Sequence, residues 1–236
     1  MAITSKYLFD GTFQDSVGSV HGTANGGMDA SATDGDRTVA VFDGTDDYID
    51  FGSDSRFNTE DFSFSMWIKP QSSQQAWARI MGTLYNDPIS GWAFEQEAAQ
   101  TNRYRFQSFD GSTWTESDPN NVLEITPDVW SHLVITRSGT VIKGYINGQH
   151  VYTAATHATM VSTHDFQLGA NPAVTDSPTP WDAYWSGSMH GFAVHDAALS
   201  DAEVETLYFE TVLLTDGLVA KYPLDTDADD SVGSND

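Results

Sequence analysis

The sequence predicts an all-β protein, a two-sheet antiparallel sandwich of the jelly-roll kind with one short C-terminal helix. Apolar and polar residues alternate with a period of two along most of the chain, which indicates half-buried strands. Clusters of Gly, Asn, Asp and Pro separate these runs at short and fairly even intervals. Many short strands spaced in this way are typical of antiparallel sandwiches and jelly rolls.

The run Phe62–Lys69 shows the alternation most clearly, since every second residue from Phe62 is apolar. It predicts a strand with one buried face that ends at Pro70. Asn147-Gly148 separates two strand-like runs and predicts a β-hairpin. The other predicted strands are Val39–Phe42, Tyr48–Phe51, Ile80–Leu84, Trp92–Gln96, Arg103–Gln107, Trp130–Arg137, Val141–Ile146, Phe166–Leu168 and His190–His195.

One segment has the pattern of a helix. Ser200 and Glu203 have the spacing of a capping box, and Val204, Leu207 and Tyr208 follow at helical intervals. Because this helix comes after the last predicted strand, we expect it to close one end of the sandwich.

The beginning of the chain recurs at its end. The Lys-Tyr, Asp and Asp-Ser-Val-Gly-Ser elements of Lys6–Ser19 return with the same spacing in Lys221–Ser234. A first-strand motif that reappears one domain length later indicates a repeat. We therefore predict one domain over residues 1–214, and the start of a second repeat or an appended assembly strand over residues 215–236.

The composition narrows the functional classes. The chain has 34 acidic and 10 basic residues, a formal net charge of −24, so nucleic acids and anionic membranes are not expected as partners. Cysteine is absent, which excludes disulfides and cysteine-based zinc sites. No apolar run is long enough to cross a bilayer, and the N-terminal residues lack the features of a secretion signal.

Five blocks of sequence, in order, resemble a laminin-G-like, concanavalin A-like jelly-roll domain. They are Lys6–Gly22, Phe42–Phe51, Phe62–Pro70, Trp130–Gly148 and Gly191–Val204. The resemblance implies a module that often holds glycans or proteins, frequently with calcium, in secreted proteins, adhesins and viral appendages. An extracellular or cell-surface location is therefore expected, with a virion as the alternative.

A structural calcium site is predicted where the first and last strands are expected to be neighbours. Asp10 and Asp15 flank a turn, and Asp196 ends the closing strand. Calcium prefers several oxygen ligands from carboxylates and backbone carbonyls. The alternative is that Asp15 only caps a turn by accepting hydrogen bonds from backbone amides.

A carbohydrate site is predicted in two elaborate loops, around Asn86–Trp92 and Asn171–Trp185, because long loops on a rigid β scaffold commonly carry function. Aromatic rings stack on sugars, while carboxylates and amides bind sugar hydroxyls. Trp77 can add to the same platform, and the alternative is that some of these tryptophans lie in the core. The predicted binding residues are Tyr85, Asn86, Asp87, Trp92, Asn171, Asp176, Trp181, Asp182 and Trp185.

The predicted function is a non-catalytic, lectin-like module that is stabilised by calcium and binds glycans or a glycosylated surface. Glycoside hydrolysis is the weaker alternative, because the strand-borne Glu-x-Asp-x-x-Glu arrangement is absent and Glu95 and Glu97 are expected to lie on a solvated surface. The other alternative is a structural module of an adhesin or virion appendage. Its C-terminal segment would join like modules in a tandem array or add a strand to a neighbour's sheet edge.

Overall fold

The computed structural model describes residues 2–29, 31–86, 89–97, 101–116, 122–155, 162, 164–170 and 183–215. Within these ranges, two large antiparallel sheets pack on a shared apolar core, and one helix follows the last strand. The predicted all-β sandwich is confirmed. No helix in this described part of the chain is long and apolar enough to cross a membrane.

Eighteen strands are present in the described residues, and most are short. In chain order they are β1 (Ile3–Tyr7), β2 (Thr23–Asn25), β3 (Thr33–Asp34), β4 (Arg37–Thr38), β5 (Ala40–Asp43), β6 (Tyr48–Asp50), β7 (Asp61–Pro70), β8 (Arg79–Gly82), β9 (Tyr85–Asn86), β10 (Ile89–Gln96), β11 (Arg103–Phe109), β12 (Trp114–Glu116), β13 (Leu123–Glu124), β14 (Ser131–Ser138), β15 (Val141–Ile146), β16 (Gln149–Ala155), β17 (Gln167–Leu168) and β18 (Ser186–His195). A 3₁₀ turn (Ser55–Phe57) and the helix α1 (Asp201–Thr215) complete the elements. The predicted strands are recovered with shifted ends.

The seven-stranded sheet has the order β1-β18-β7-β14-β15-β16, with β5 also paired to β18. The long strand β18 pairs with β5 along its N-terminal half and with β1 along its C-terminal half. The nine-stranded sheet has the order β12-β11-β10-β8-β17-β6-β2, with β13 on β11 and β9 on β10. The hairpin β3–β4 is a separate small sheet.

The predicted hairpin between β15 and β16 is confirmed. Asn147 and Gly148 both have positive φ angles, 51° and 79°, which is the backbone conformation that a two-residue hairpin turn needs. The Asn147 side chain also accepts a hydrogen bond from the backbone N–H of His132 at 2.8 Å, so the turn is tied to the neighbouring strand β14.

The alternation in β7 places its phenylalanines in the core, as predicted, but its opposite face is also buried. Ser63 and Ser65 are covered, and the Ser63 hydroxyl donates to the carbonyl of Ala197 and accepts from the backbone N–H of Leu199. The polar face of β7 is therefore the floor on which the C-terminal segment lies.

The helix α1 begins with the predicted capping box. The Glu203 carboxylate accepts hydrogen bonds from the backbone N–H and the hydroxyl of Ser200, at 2.8 and 2.6 Å. Val204 packs with Val134 and Tyr145, which belong to the outward side of the seven-stranded sheet. The expectation that the helix closes one end of the sandwich is thus wrong: it lies on a sheet face, because that face offers the apolar patch.

Helix α1 also covers a histidine. His132 lies 5.3 Å from the Trp67 ring and 6.0 Å from the Tyr208 ring, between centroids, and its Nδ1 is buried without a hydrogen-bond partner in the described residues. Burial lowers the pKa of His132 from 6.5 to about 4. The unfolded chain therefore binds this proton at a higher pH than the folded chain does.

Neutral His132 contributes stability that is fully present above pH 6.5 and is lost as the pH falls towards the folded pKa of about 4. Between pH 7 and pH 5, the unfolding free energy of the wild type should fall by about 2 kcal/mol more than that of His132→Phe, which keeps the ring packing. Urea unfolding at both pH values measures the difference. Equal losses in the two proteins would contradict the prediction.

Candidate functional site

The loop between β5 and β6 gathers three carboxylates. Asp43 accepts hydrogen bonds from the backbone N–H groups of Thr45 and Asp46, at 2.7 and 3.3 Å, and Asp47 accepts one from the N–H of Asp43 at 2.9 Å. These bonds fold the loop tightly around Gly44, which has a φ of 76°. Carboxylate oxygens of Asp43, Asp46 and Asp47 consequently all lie within 4.8 Å of one another.

The electrostatics of this acidic loop (residues 43–47) favour a cation. Asp47 is only 7% exposed, and burial raises its pKa, with the charges of Asp43 and Asp46 raising it further. A bound cation would relieve this repulsion, and carboxylate oxygens are the ligands that hard divalent cations prefer. The three residues can therefore hold a metal ion.

The predicted metal ligands are arranged differently. Asp15 is buried, and one of its oxygens accepts backbone N–H bonds from Lys6, Val17 and Gly18 at 3.0, 3.0 and 2.8 Å. Burial raises the pKa of Asp15, but these hydrogen bonds outweigh burial and hold the pKa below its usual value. Asp15 thus has the turn-capping role that was the alternative.

Asp10 and Asp196 do not join Asp15. Both are exposed, and Asp196 accepts the backbone N–H of Ala2 at 3.1 Å. Among the residues with described positions, only the acidic loop brings three acidic side chains within 4.8 Å of one another. The predicted grouping of Asp10, Asp15 and Asp196 is therefore not formed: the second oxygen of Asp15 lies 3.5 Å from Arg56 Nη1, and Asp196 is bonded to the N-terminal backbone.

Next to the acidic loop, residues Gln71–Trp77 form a segment that we call the rim loop. The backbone N–H of Gln71 donates to the carbonyl of Ser186, and the Gln74 side chain accepts the Ser186 N–H, at 3.0 and 2.9 Å. On its other side, the carbonyl of Gln75 accepts a bond from the Gln96 side chain at 2.8 Å. Both large sheets hold the rim loop in one position.

A pocket of about 290 Å³ lies between the rim loop and the acidic loop. Amides, hydroxyls, one carboxylate and one phenol line it, including Asp43, Gln71, Ser73, Gln75, Tyr184 and Ser186. This rim pocket is nearly as large as typical small-molecule sites and offers hydrogen-bonding groups from fixed backbone positions.

A second cavity, of about 450 Å³, lies on the other side of the rim loop. Ser72 lines it, together with Asn102 and the ion pair of Arg103 Nε and Glu124 Oε1 at 3.0 Å. Ser72 and Ser73 are adjacent and exposed, yet they face different cavities.

Two predicted carbohydrate-binding tryptophans are core residues. Trp92 and Trp185 are both 0% exposed, and their indole N–H groups donate to the carbonyl of Phe57 and the hydroxyl of Tyr104, at 3.1 and 2.9 Å. Neither ring presents a face to solvent, so the prediction that they stack on sugars is wrong. Trp92 lies on the inward face of β10, and Trp185, directly before β18, packs its ring 5.6 Å from that of Phe42 between the sheets.

For the other predicted binding residues, the structure describes no side-chain position. Tyr85 and Asn86 form β9, which pairs with Ser90 and Ile89 of β10, but nothing is described of their side chains. The remaining predicted residues lie outside the described residues: Asp87, Asn171, Asp176, Trp181 and Asp182. The role of these seven residues stays a prediction.

A buried charge network lies on the outward side of the nine-stranded sheet. Glu95 is 1% exposed, and its two oxygens accept bonds from Arg79 Nε at 3.0 Å and from the Gln107 amide at 2.6 Å. Burial raises the pKa of Glu95, and Arg79 opposes that shift. The expectation that Glu95 lies on a solvated surface is wrong.

Trp77 closes one side of this network. The guanidinium carbon of Arg105, whose Nη2 is 3.7 Å from Glu95, lies 4.7 Å from the Trp77 ring centroid. Trp77 has a φ of 64°, a conformation that is unusual for a bulky residue and that its surroundings must enforce. In the sequence, the feature that could have predicted this network is the presence of charged residues at outward-facing positions of adjacent strands.

Comparison with known proteins identifies the fold. The family model described as the concanavalin A-like lectin/glucanases superfamily matches residues 43–205. No curated protein matches the chain. Domain 4 of AbnA, a GH43 extracellular arabinanase from Geobacillus stearothermophilus solved with arabinotriose, aligns at 21% identity and a TM-score of 0.70, covering 87% of this chain and 98% of that domain.

Two toxin domains are also similar. The botulinum neurotoxin serotype D binding domain aligns at 13% identity with a TM-score of 0.66, over 90% of this chain. The binding domain of Paraclostridial Mosquitocidal Protein 1 aligns at 13% identity with a TM-score of 0.65, over 89%. This chain spans 52% of each of these domains, and identities this low show the fold alone. Because the family model covers more than half of its length, the chain belongs to the concanavalin A-like lectin/glucanases superfamily.

Proposed function

We propose that this protein is a non-catalytic carbohydrate-binding module, acting outside the cell or at its surface, and that its glycan binds in the rim pocket. The observation that carries the proposal is the lining of that pocket. Gln71, Ser73, Gln75 and Asp43 offer amide, hydroxyl and carboxylate groups beside the aromatic ring of Tyr184. Sugars present many hydroxyls that both donate and accept, and the amide, hydroxyl and carboxylate groups of the lining match them, while Tyr184, which is 8% exposed, borders the pocket.

The fixed position of the rim loop supports the same function. Its backbone is hydrogen-bonded to Ser186 on one side and to Gln96 on the other. A site that is ordered before the ligand arrives loses little conformational entropy on binding. Weakly binding, hydroxyl-rich ligands depend most on this saving.

The structural neighbours favour carbohydrate as the ligand class. The arabinanase domain, which aligns over nearly its whole length, was solved in complex with arabinotriose, and the toxin domains are named as binding domains. Those properties belong to those proteins, and the shared fold makes carbohydrate the first class to test here.

The state of Glu95 supports a non-catalytic role. Glycoside hydrolysis needs a carboxyl group that gives a proton to the leaving oxygen and a second carboxylate close to it. Both oxygens of Glu95 already accept hydrogen bonds, from Arg79 and Gln107, and the residue is 1% exposed, so its carboxyl group is out of reach of a glycosidic oxygen. The alternative assembly function depends on residues 215–236, of which only Thr215 is described.

We further propose that the acidic loop holds a structural calcium ion. Asp43, Asp46 and Asp47 supply oxygen ligands, and Asp43 also lines the rim pocket. A cation there would fix the Asp43 carboxylate that the glycan contacts. Calcium would thereby stabilise the fold and order one wall of the pocket.

Calcium should raise the melting temperature of the wild type. A ligand that binds only the folded state raises the free energy of unfolding by about 2.7 kcal/mol at a concentration 100 times its dissociation constant. Asp46→Asn removes one charge at an exposed position and should abolish most of the shift. Asp10→Asn, an equally exposed aspartate, is the matched control and should keep it. Thermal unfolding with calcium and with EDTA measures this. The calcium assignment fails if EDTA leaves the wild-type melting temperature unchanged, or if Asp10→Asn is the variant that loses the shift.

Filling the rim pocket should abolish glycan binding. Ser73→Trp places an indole in this pocket, whereas Ser72→Trp places the same group in the second cavity. Calorimetric titration with neutral arabino-, xylo-, gluco- and galacto-oligosaccharides should show a ligand for the wild type and for Ser72→Trp. Binding to Ser73→Trp should be at least about tenfold weaker, a loss of about 1.4 kcal/mol.

Release of reducing ends from any of these oligosaccharides would contradict the non-catalytic part of the proposal. Loss of binding in Ser72→Trp, with Ser73→Trp unaffected, would move the site to the second cavity.

A further inference from the structure

A basic and aromatic cluster lies on the outward side of the seven-stranded sheet, away from the rim pocket. Arg37 extends from β4 in the small hairpin, and its guanidinium carbon lies 5.1 Å from the ring centroid of Trp67 and 5.4 Å from that of Trp130. Trp67 is buried, whereas Arg37 and Trp130 are half-buried. The guanidinium therefore contacts two indoles and remains close to solvent.

Two hydrogen-bond donors of this cluster have no partner in the part of the chain that the structure describes. Arg37 Nε and Trp130 Nε1 are both buried atoms without a hydrogen-bond acceptor among the described residues. Buried polar atoms in folded proteins are nearly always hydrogen-bonded, to protein or to ordered water, and a ligand that binds in place of water must supply the same bonds. Because both groups only donate, the missing partner is an acceptor.

Nearby acidic residues do not neutralise Arg37. Asp34, on the same hairpin, is paired with Lys69 Nζ at 2.7 Å, and Arg37 forms no ion pair with the residues that the structure describes. The chain has 34 acidic and 10 basic residues, yet no carboxylate at a described position pairs with Arg37. The hairpin itself is held down, since the carbonyl of Thr38 is 2.7 Å from His190 Nδ1.

We propose that Arg37 and Trp130 form a binding site for a carboxylate group, with the Trp67 ring as its floor. A guanidinium binds a carboxylate through planar, charge-assisted hydrogen bonds, and the indole N–H of Trp130 supplies a further donor. The half-buried Trp130 ring offers an apolar surface for the body of the acid. The carboxylate comes either from a free small acid or from an acidic sugar residue such as a uronate.

The net charge of −24 does not prevent this. At an ionic strength of 0.15 M the Debye length is about 8 Å, so distant surface carboxylates are largely screened. The contact with Arg37 is made at hydrogen-bond distance in a partly desolvated site, where screening is weak.

Indole N–H resonances in a nitrogen–proton correlation spectrum give a readout at the site itself. The wild type is titrated at pH 7 and constant ionic strength with sodium acetate, sodium galacturonate, acetamide and methyl galactoside. Trp130→Phe assigns the Trp130 resonance. We expect a saturable shift of this resonance with the two carboxylates and none with the two neutral compounds.

Arg37→Met should weaken carboxylate binding about tenfold to a hundredfold, as expected for loss of a charged hydrogen-bond donor. Arg37→Lys, which keeps the charge but loses the planar donor pair, should give a smaller loss and covers the case in which Arg37→Met does not fold. Arg103→Met is the matched control, because Arg103 is paired with Glu124, and it should bind as the wild type does.

Galacturonate binding at least about tenfold tighter than acetate would assign the site to an acidic sugar, and equal affinities would assign it to the carboxylate alone. The proposal is overturned if no saturable shift occurs, if acetamide produces the same shift, or if Arg37→Met and Arg37→Lys both leave the affinity unchanged. None of these readouts depends on the rim pocket, so the two proposals can fail separately.

Discussion

The packing of aromatic rings between the two sheets determines what the rest of the chain is free to do. Phe64 lies near the middle of this layer, with ring centroids of Trp92, Phe166 and Phe192 at 5.6, 5.5 and 5.9 Å. Those rings come from both sheets, so the same contacts join the layers and fix their register. Large rings dominate core energetics because each buries a large apolar area and gains from offset or edge contacts. A tryptophan on a strand of this protein therefore stabilises the fold more as a core residue than as a surface residue.

Parts of both outer sheet faces are covered, which leaves many of the exposed polar groups at the rim. On the seven-stranded sheet, α1 covers His132 and the hairpin β3–β4 reaches Trp67. On the nine-stranded sheet, Glu95 and its arginine partners are shielded from solvent. A ligand consequently meets the ends of strands, the loops that join them, or the hairpin β3–β4 on the sheet face. The rim pocket lies at such an end, between two loops that the sheets hold rigid.

The sequence was sufficient for the fold and insufficient for the site. Period-two alternation in β7, the Asn147-Gly148 turn and the capping box at Ser200 are local signals, and each has the predicted structure. The strands that were missed have two or three residues, too few for a period to be recognised. Trp92 was misassigned because alternation gives two faces without saying which one is inside. The acidic loop was missed because loop geometry, which the sequence does not specify, brings its three carboxylates together.

The two loops that frame the rim pocket also explain why its lining is uncharged except for Asp43. The rim loop reads Gln-Ser-Ser-Gln-Gln, and these amides satisfy backbone groups of Ser186 and Gly44 while still facing the pocket. Gln74 is half-buried, and a charged side chain there would be partly desolvated without a partner. Amides tolerate partial burial because each both donates and accepts. The groups that build the rim are thus also suited to sugar hydroxyls, which donate and accept in the same way. Stability of the loop and recognition of a neutral ligand therefore favour the same residues here.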